Sequence, residues 1–320
     1  MTRLDAPGFR QYQPNRHGSR ARRHLLGAIA TVWTILVAVC PSAHAQVVEP
    51  FDHLHLVVPD VEFAREWYIQ HMGGNAGETP DAVSWGAWPG DHPMPVQLLF
   101  TLADPSHAGV GTTIDHVGFS FANLDAAVDG LRTAGVRILS PVSVSSDLGK
   151  HAVAEDPWGT RLVLIEDPEA PGIHHVEIRV ADPESSLSWY ARMFGGERVR
   201  FNGAVDAVRY RGLGVFYLFA TKDDRAVPGP GRTLDHLGFG PIDLDEVVRV
   251  LTAEGTVFTS NPNPRLNPGC RVSAAGDERT QGVQRLFCEP APQLAHRAVF
   301  LSAPDGVRIE LVQHLEAGGH

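Results

Sequence analysis

Imidazole recurs in this chain in one local setting. Histidines 53, 116, 175 and 236 sit in FDHLHLVV from residue 51, TIDHVGFS from 113, GIHHVEIRV from 172 and TLDHLGFG from 233. Each follows Asp or His and precedes Leu or Val in a run that alternates like a half-buried strand. A further motif near the end, APDGVRIELVQH from 303, carries Glu310 on the polar parity of its strand, with Val307, Ile309 and Leu311 on the other. Two neutral imidazoles and a carboxylate converging from separate strands can hold a divalent metal on one side and leave coordination positions open. The set expected here is His175, His236 and Glu310. The competing reading is that such histidines are polar residues at the edge of the core; their recurrence at each first strand favours the metal.

The elements that would position these groups repeat. VPDVEFAREWYIQHMGG from 58 matches VADPESSLSWYARMFGG from 180 at an offset of 122, with Asp60, Trp67, Tyr68 and Gly73-Gly74 on Asp182, Trp189, Tyr190 and Gly195-Gly196. DHVGFSFANLDAAVDGLRTAG from 115 matches DHLGFGPIDLDEVVRVLTAEG from 235 at an offset of 120, with His116 on His236 and Gly135 on Gly255. Four units of roughly 60 residues therefore read A-B-A′-B′. Each opens with a strand, turns at Asp or Asn into a three-turn amphipathic helix closed by glycine, and continues in β-like runs such as VQLLFTL, RLVLIED and GVFYLFA. The fold class expected is α+β: four βαβββ modules in two tandem pairs, each pair an open-sided mixed β cup flanked by helices.

Strand parity names the cup lining. In HHVEIRV, Val176, Ile178 and Val180 go to the helix side, while His175, Glu177 and Arg179 face the cup. Glu177, Arg179 and Tyr217 are the candidate substrate contacts, although Glu177 and Arg179 could equally pair with each other. His53 and His116 hold the same register in the first half, but the position matching Glu310 there is Val163, which cannot ligate, and Gln97 offers only an amide. The first half reads as a structural copy.

The first 45 residues stand apart. Six arginines precede LLGAIATVWTILVAV, and Ala-His-Ala at 43–45 follows. That order describes a secretory signal peptide, and RRHLL at 22–26 partly matches a twin-arginine signal; an uncleaved anchor is the alternative. The expected domains are 1–45 signal peptide, 46–168 and 169–320, the last with an insertion at 261–295 that forms either a lid or a surface loop. Cleavage after Ala45 lowers Lys+Arg from 27 to 21 and Asp+Glu from 37 to 36, leaving a net charge of −15. Such a chain is periplasmic or secreted, and its charge argues against nucleic acid and against anionic membrane surfaces. Cys270 and Cys288 then remain, as a disulfide in an oxidising compartment or as two thiols.

With its DH-apolar strands and its DPWG and APDG endings, the chain over about 51–315 resembles the vicinal oxygen chelate superfamily: glyoxalase I, bleomycin-resistance proteins, methylmalonyl-CoA epimerase and extradiol dioxygenases. The resemblance implies a divalent metal, Fe(II), Mn(II) or Zn(II), that chelates two neighbouring oxygens of a small-molecule substrate. The four-module layout looks most like the extradiol dioxygenases, with the metal in the second pair. Those enzymes add an acid-base histidine and a tyrosine; here no histidine lies between 176 and 235, and Phe300 stands at the tyrosine position. A glyoxalase I site would need a fourth ligand where this chain offers Tyr217, and export separates the chain from a cytosolic thiol cofactor. The readings are a dioxygenase- or lyase/isomerase-type metalloenzyme, a non-catalytic small-molecule binding protein and a structural remnant with no metal, with a homodimer as the candidate assembly.

Overall fold

A computed structural model of the chain describes residues 51–314 apart from 78, 86–95, 105–111, 170, 212–214, 228–231, 241–242, 260–269, 274–283 and 289–295. The expected signal peptide, 1–45, lies outside the described residues. Module 1 comprises β1 (Phe51–Val58), α1 (Val61–Met72), β2 (Asn75–Ala76), β3 (Ala82–Trp85) and β4 (Val96–Leu102). Module 2 comprises β5 (Ile114–Phe121), α2 (Leu124–Thr133), β6 (Arg137–Ser145), β7 (Gly149–Glu155) and β8 (Arg161–Glu166). Module 3 comprises β9 (Gly172–Val180), α3 (Pro183–Phe194), β10 (Glu197–Phe201), β11 (Val205–Arg211) and β12 (Val215–Lys222). Module 4 comprises β13 (Leu234–Phe239), α4 (Leu244–Ala253), β14 (Phe258–Thr259), β15 (Cys270–Ser273), β16 (Gln284–Cys288), β17 (His296–Ser302) and β18 (Arg308–His314).

The same local chemistry starts each helix. Asp60, Asn123, Asp182 and Asp243 sit in extended backbone and accept from the amides of Phe63, Ala126, Ser185 and Glu246. Each cap satisfies an amide that the first helical turn leaves without a partner. The apolar parity of each first strand packs beneath its helix: Val176 and Ile178 are fully buried, as are Leu187 and Tyr190 on α3.

The α+β class and the four modules are as expected. The pairing of modules is not the expected tandem one. One sheet runs β10-β11-β12-β9-β5-β8-β7-β6 and joins modules 2 and 3; the other runs β15-β16-β17-β18-β13-β1-β4-β3-β2 and joins modules 4 and 1. The sheets therefore do not follow a division at 168/169. Only five residues separate β8 from β9, and β9 lies antiparallel on the far side of β5. A link of that length spans the roughly 10 Å of two strand spacings. Modules 2 and 3 thus join across β5 and β9, which leaves β1 and β13 to pair with each other. Aromatic packing ties the sheets together, with Phe51 of module 1 stacked at 4.0 Å on Phe216 of module 3; within its own sheet Phe51 also lies edge-on at 5.4 Å to Phe239 of module 4. Both halves of each cup come from one chain, so neither cup needs a second copy to complete it.

The insertion at 261–295 contributes β15 and β16, which extend the first-and-fourth-module sheet beyond β17 and place Cys270 and Cys288 in register. The remainder of the insertion lies outside the described residues.

The DPWG turn is a second tie between modules. Buried Asp156 accepts from the Tyr68 hydroxyl at 2.8 Å and from the amides of Trp158 and Thr160 at 2.9 and 2.7 Å. Burial pushes its pKa up to about 6 against the pull of those donors. Asp156→Ala removes the acceptor of three buried donors. It is expected to cost about 3 kcal/mol and roughly 5–10 °C in melting temperature, checked by thermal denaturation. Tyr68→Phe, which leaves the backbone donors in place, is expected to cost about 1 kcal/mol.

Candidate metal centre

In the cup built by modules 1 and 4, β1 and β13 run antiparallel, pairing His53 with Gly238 and His55 with His236, and β18 runs parallel to β13 with Glu310 beside Gly238. His53, His55, His236 and Glu310 each present a ligand atom within 4.8 Å of the others. Nε2 of His236 is 2.9 Å and Nε2 of His53 is 3.3 Å from Oε2 of Glu310.

A second layer aims these groups. Asp52 accepts from Nδ1 of His53 at 2.6 Å and Asp235 from Nδ1 of His236 at 2.7 Å, which turns each Nε2 toward the cup. Arg308 donates to Asp235 at 2.9 Å and lies 4.7 Å over the Phe300 ring, which in turn meets the edge of His236. His55 is fixed from the other end, with Nε2 2.5 Å from the Thr101 hydroxyl.

The donor chemistry fits a divalent cation. Nδ1 of His55 is buried with no hydrogen-bond partner and Nε2 of His53 is buried facing Glu310 at 3.3 Å, and a metal satisfies both. Burial would raise Glu310, but the two histidines outweigh it and hold the carboxyl well below the usual range. Burial and the neighbouring His236 and His53 hold His55 well below the usual imidazole value, so its ring is neutral and ready to donate. Burial also opposes a charge on His53, yet hydrogen bonding and charge from Asp52 and Glu310 lift its pKa to about 9 in the metal-free chain.

Of the three ligands expected from sequence, His236 and Glu310 meet here and His175 does not. His175 lies on β9 in the other sheet, with its Nε2 3.2 Å from Nε2 of His116. Module pairing is the reason: the strand beside β13 is β1, so His53 takes the place expected for His175. His55 is the residue that sequence reasoning passed over. Its signal was present, because His53 and His55 are two apart on one strand and share a face. Where module 1 would supply a last-strand ligand in the register of Glu310 stands Leu99, opposite His55.

Glu177, Arg179 and Tyr217 belong to the other cup. Thr221 donates to Glu177 at 2.9 Å, Arg179 lies 2.9 Å from Asp115, and Tyr217 packs against His174 and Phe201. Asp115, His116 and Glu177 also come within ligand reach of one another, but Asp115 is taken up by Arg161, Arg179 and the His116 ring. Val163 fills the position of Glu310 in that cup, paired with Gly118 as Glu310 is with Gly238.

Comparison with known proteins agrees with this architecture. The chain resembles glyoxalase I from Zea mays at 18% identity, over 82% of this chain and 92% of that one, with a TM-score of 0.58. A putative dioxygenase from Bacillus subtilis subsp. subtilis str. 168 matches at 16% identity, over 83% and 85% of the two chains, with a TM-score of 0.53. No curated protein matches the chain significantly in sequence. The model of the Glyoxalase/Bleomycin resistance protein/Dioxygenase superfamily matches residues 51–164 and 172–311, nearly all of the four modules. The chain therefore belongs to that superfamily, with its donor cluster shared between the first and fourth modules.

Proposed function

We propose that the protein is an exported metalloenzyme that binds a divalent ion, Fe(II), Mn(II) or Zn(II), through His53, His55, His236 and Glu310, and acts on a small molecule with two neighbouring oxygens. The observation that carries this is the buried cluster of three imidazoles and a carboxylate, with Nδ1 of His55 left without a partner and Nε2 of His53 and of His236 both turned to Glu310. A bound divalent ion supplies Lewis acidity to a substrate's oxygens. The chain's own groups do the rest. Asp52 and Asp235 hold the imidazoles in the tautomer that presents Nε2. Phe300 and Leu99 form apolar walls beside the cluster. Gln97, in register with His53 and almost fully buried, presents an uncharged amide where a substrate oxygen can be oriented.

Gln97 also favours a second reading. Among the described residues the cup offers an amide beside the cluster and no base beyond the ligands and their Asp52 and Asp235 partners, which suits sequestration of a ligand without turnover. Oxygen uptake and product analysis with a panel of catechols and 2-oxoaldehydes, using His236→Ala as control, separates the two. Turnover that depends on His236 supports the enzyme, and metal-dependent binding without turnover supports sequestration.

The order of residues 1–45 is what supports export, and a Cys270–Cys288 disulfide is part of the same proposal. Cys270 and Cys288 are register partners on antiparallel strands, a placement whose usual Cα spacing of about 4.5–5.5 Å a disulfide can bridge. Mass analysis of the mature chain purified from its own compartment tests both, the expected species beginning at Gln46 and carrying no free thiol.

Metal binding must displace the proton that His53 holds up to about pH 9. Loading at neutral pH is expected to release about one proton per ion, and affinity is expected to rise about tenfold per pH unit up to about pH 9. Calorimetry in buffers of different ionisation enthalpy measures the count. In the metal-free chain the sign reverses for folding. A raised imidazole pKa stabilises below about pH 6.5 and loses that contribution as pH climbs through about 9, so apo stability falls across that window.

A further inference from the structure

The cup of modules 2 and 3 holds a chain of side chains that the metal centre does not use. Asp115 meets Nδ1 of His116 at 3.0 Å, Nε2 of His116 meets Nε2 of His175 at 3.2 Å, and Nδ1 of His175 meets Nδ1 of His174 at 2.8 Å. Nε2 of His174 ends the chain, buried and without a partner. A bulge puts both histidines on the cup side. The β5–β9 ladder steps from Gly118–His175 to Phe119–Ile173, leaving His174 as the extra residue, and Phe219 packs against both rings.

Proton positions follow from the carboxylate end. Asp115 lies between Arg161 and Arg179, so it is ionised and can only accept. Nδ1 of His116 then carries hydrogen and its Nε2 accepts. His175 donates from Nε2 and accepts at Nδ1, and His174 donates from Nδ1, which leaves the lone pair of His174 Nε2 bare. Three aligned bonds polarise that acceptor in one direction. Burial holds His175 well below the usual imidazole value and His174 down at about 4, so both rings stay neutral at physiological pH.

The surroundings say what could meet this lone pair. Phe201, Tyr217 and Phe219 surround the His174 ring at centroid distances of 5.3, 5.0 and 6.3 Å, and Phe201 and Tyr217 are partly exposed. Of the charges facing the chain, Glu177 accepts from Thr221, Arg179 pairs with Asp115 and Asp223, and Asp167, in the link after β8, acts on the His174 ring. His174 also occupies the position that Asp52 holds in module 1, and Val163 that of Glu310, so this cup has lost two of the three carboxylates that serve the first one and keeps Asp115, the counterpart of Asp235.

We propose that the second cup is a metal-free binding site for a neutral aromatic hydroxyl, which donates to Nε2 of His174 at the end of the Asp115–His116–His175–His174 chain and stacks among Phe201, Tyr217 and Phe219. The site is independent of the metal centre and is tested in the full chain carrying Glu310→Gln, stripped with chelator, so that no metal takes a phenolic oxygen. The probe is 4-nitrophenol, with 4-nitroanisole as the analogue lacking the hydroxyl. The neutral phenol at about pH 5.5 is expected to bind at least about tenfold more tightly than the phenolate at about pH 9 or than the anisole. His174→Phe is expected to abolish the difference between phenol and anisole. Long-range proton–nitrogen correlation spectra of the unsubstituted rings give a reading that needs no variant: hydrogen on Nδ1 of His116 and His174, and on Nε2 of His175. Hydrogen on Nε2 of His174, equal binding of phenol and anisole, preference for the phenolate, or uptake of zinc by His116 and His175 in the Glu310→Gln chain would each overturn the proposal.

Discussion

His53→Ala is expected to leave the purified protein with less than about one tenth of a metal equivalent, while His175→Ala keeps the wild-type content. The loss should exceed the 10–100-fold in affinity typical of removing an outer partner, because His53 is a ligand itself. The two histidines stand at matching positions in modules 1 and 3 and open equivalent strands, so composition and local structure alone do not separate them. Their partners do. His53 faces Glu310 at 3.3 Å, whereas His175 faces a second imidazole in a cup whose last-strand position is Val163. Elemental analysis of both variants beside Glu310→Ala measures the effect, and circular dichroism checks that each is folded.

Gly238→Ala should damage the centre almost as severely without removing any ligand. A Cβ at residue 238 would lie 2.2 Å from Cε1 and 2.5 Å from Nε2 of the His53 ring, well inside contact distance. The backbone at 238 is ordinary extended strand, so the clash is purely with the imidazole. The ring must swing away from Asp52 and Glu310, or the β1–β13 pair must separate. Metal affinity is expected to fall by about 10–100-fold, and overpacking should cost about 1–3 kcal/mol. Gly118→Ala is the matched control: its Cβ would meet Cε1 of His175 at 1.9 Å in the other cup. It should carry a similar stability cost and leave metal binding unchanged, as titration with zinc and a competing chelator would show.

How much of this was legible in the sequence depends on how local each feature is. The four modules, the Asx caps and the parity that separates Val176 and Ile178 from His175 and Glu177 are decided within a dozen residues, and they hold. Val163 as the non-ligating counterpart of Glu310 also followed from alignment of the DPWG and APDG turns, and its register beside Gly118 agrees. The pairing of modules is not local. β1, β5, β9 and β13 carry nearly the same strand signal, and each could zip against any of the others. The choice rests on a five-residue link after β8 and on aromatic contacts such as Phe51 with Phe216, between residues 165 positions apart. That single non-local fact moved His175 out of the centre and brought His53 and His55 in. The acceptor at His174 was hidden for a related reason. Strict alternation places it under the helix, and only the bulge opposite Gly118 and Phe119 turns it to the cup.

Anomalous diffraction from crystals of the protein loaded with one divalent ion tests the central claim most directly. One peak per chain is expected, bounded by Nε2 of His53, Nδ1 of His55, Nε2 of His236 and a carboxylate oxygen of Glu310. A peak at His116 and His175 with none beside Glu310 would contradict it.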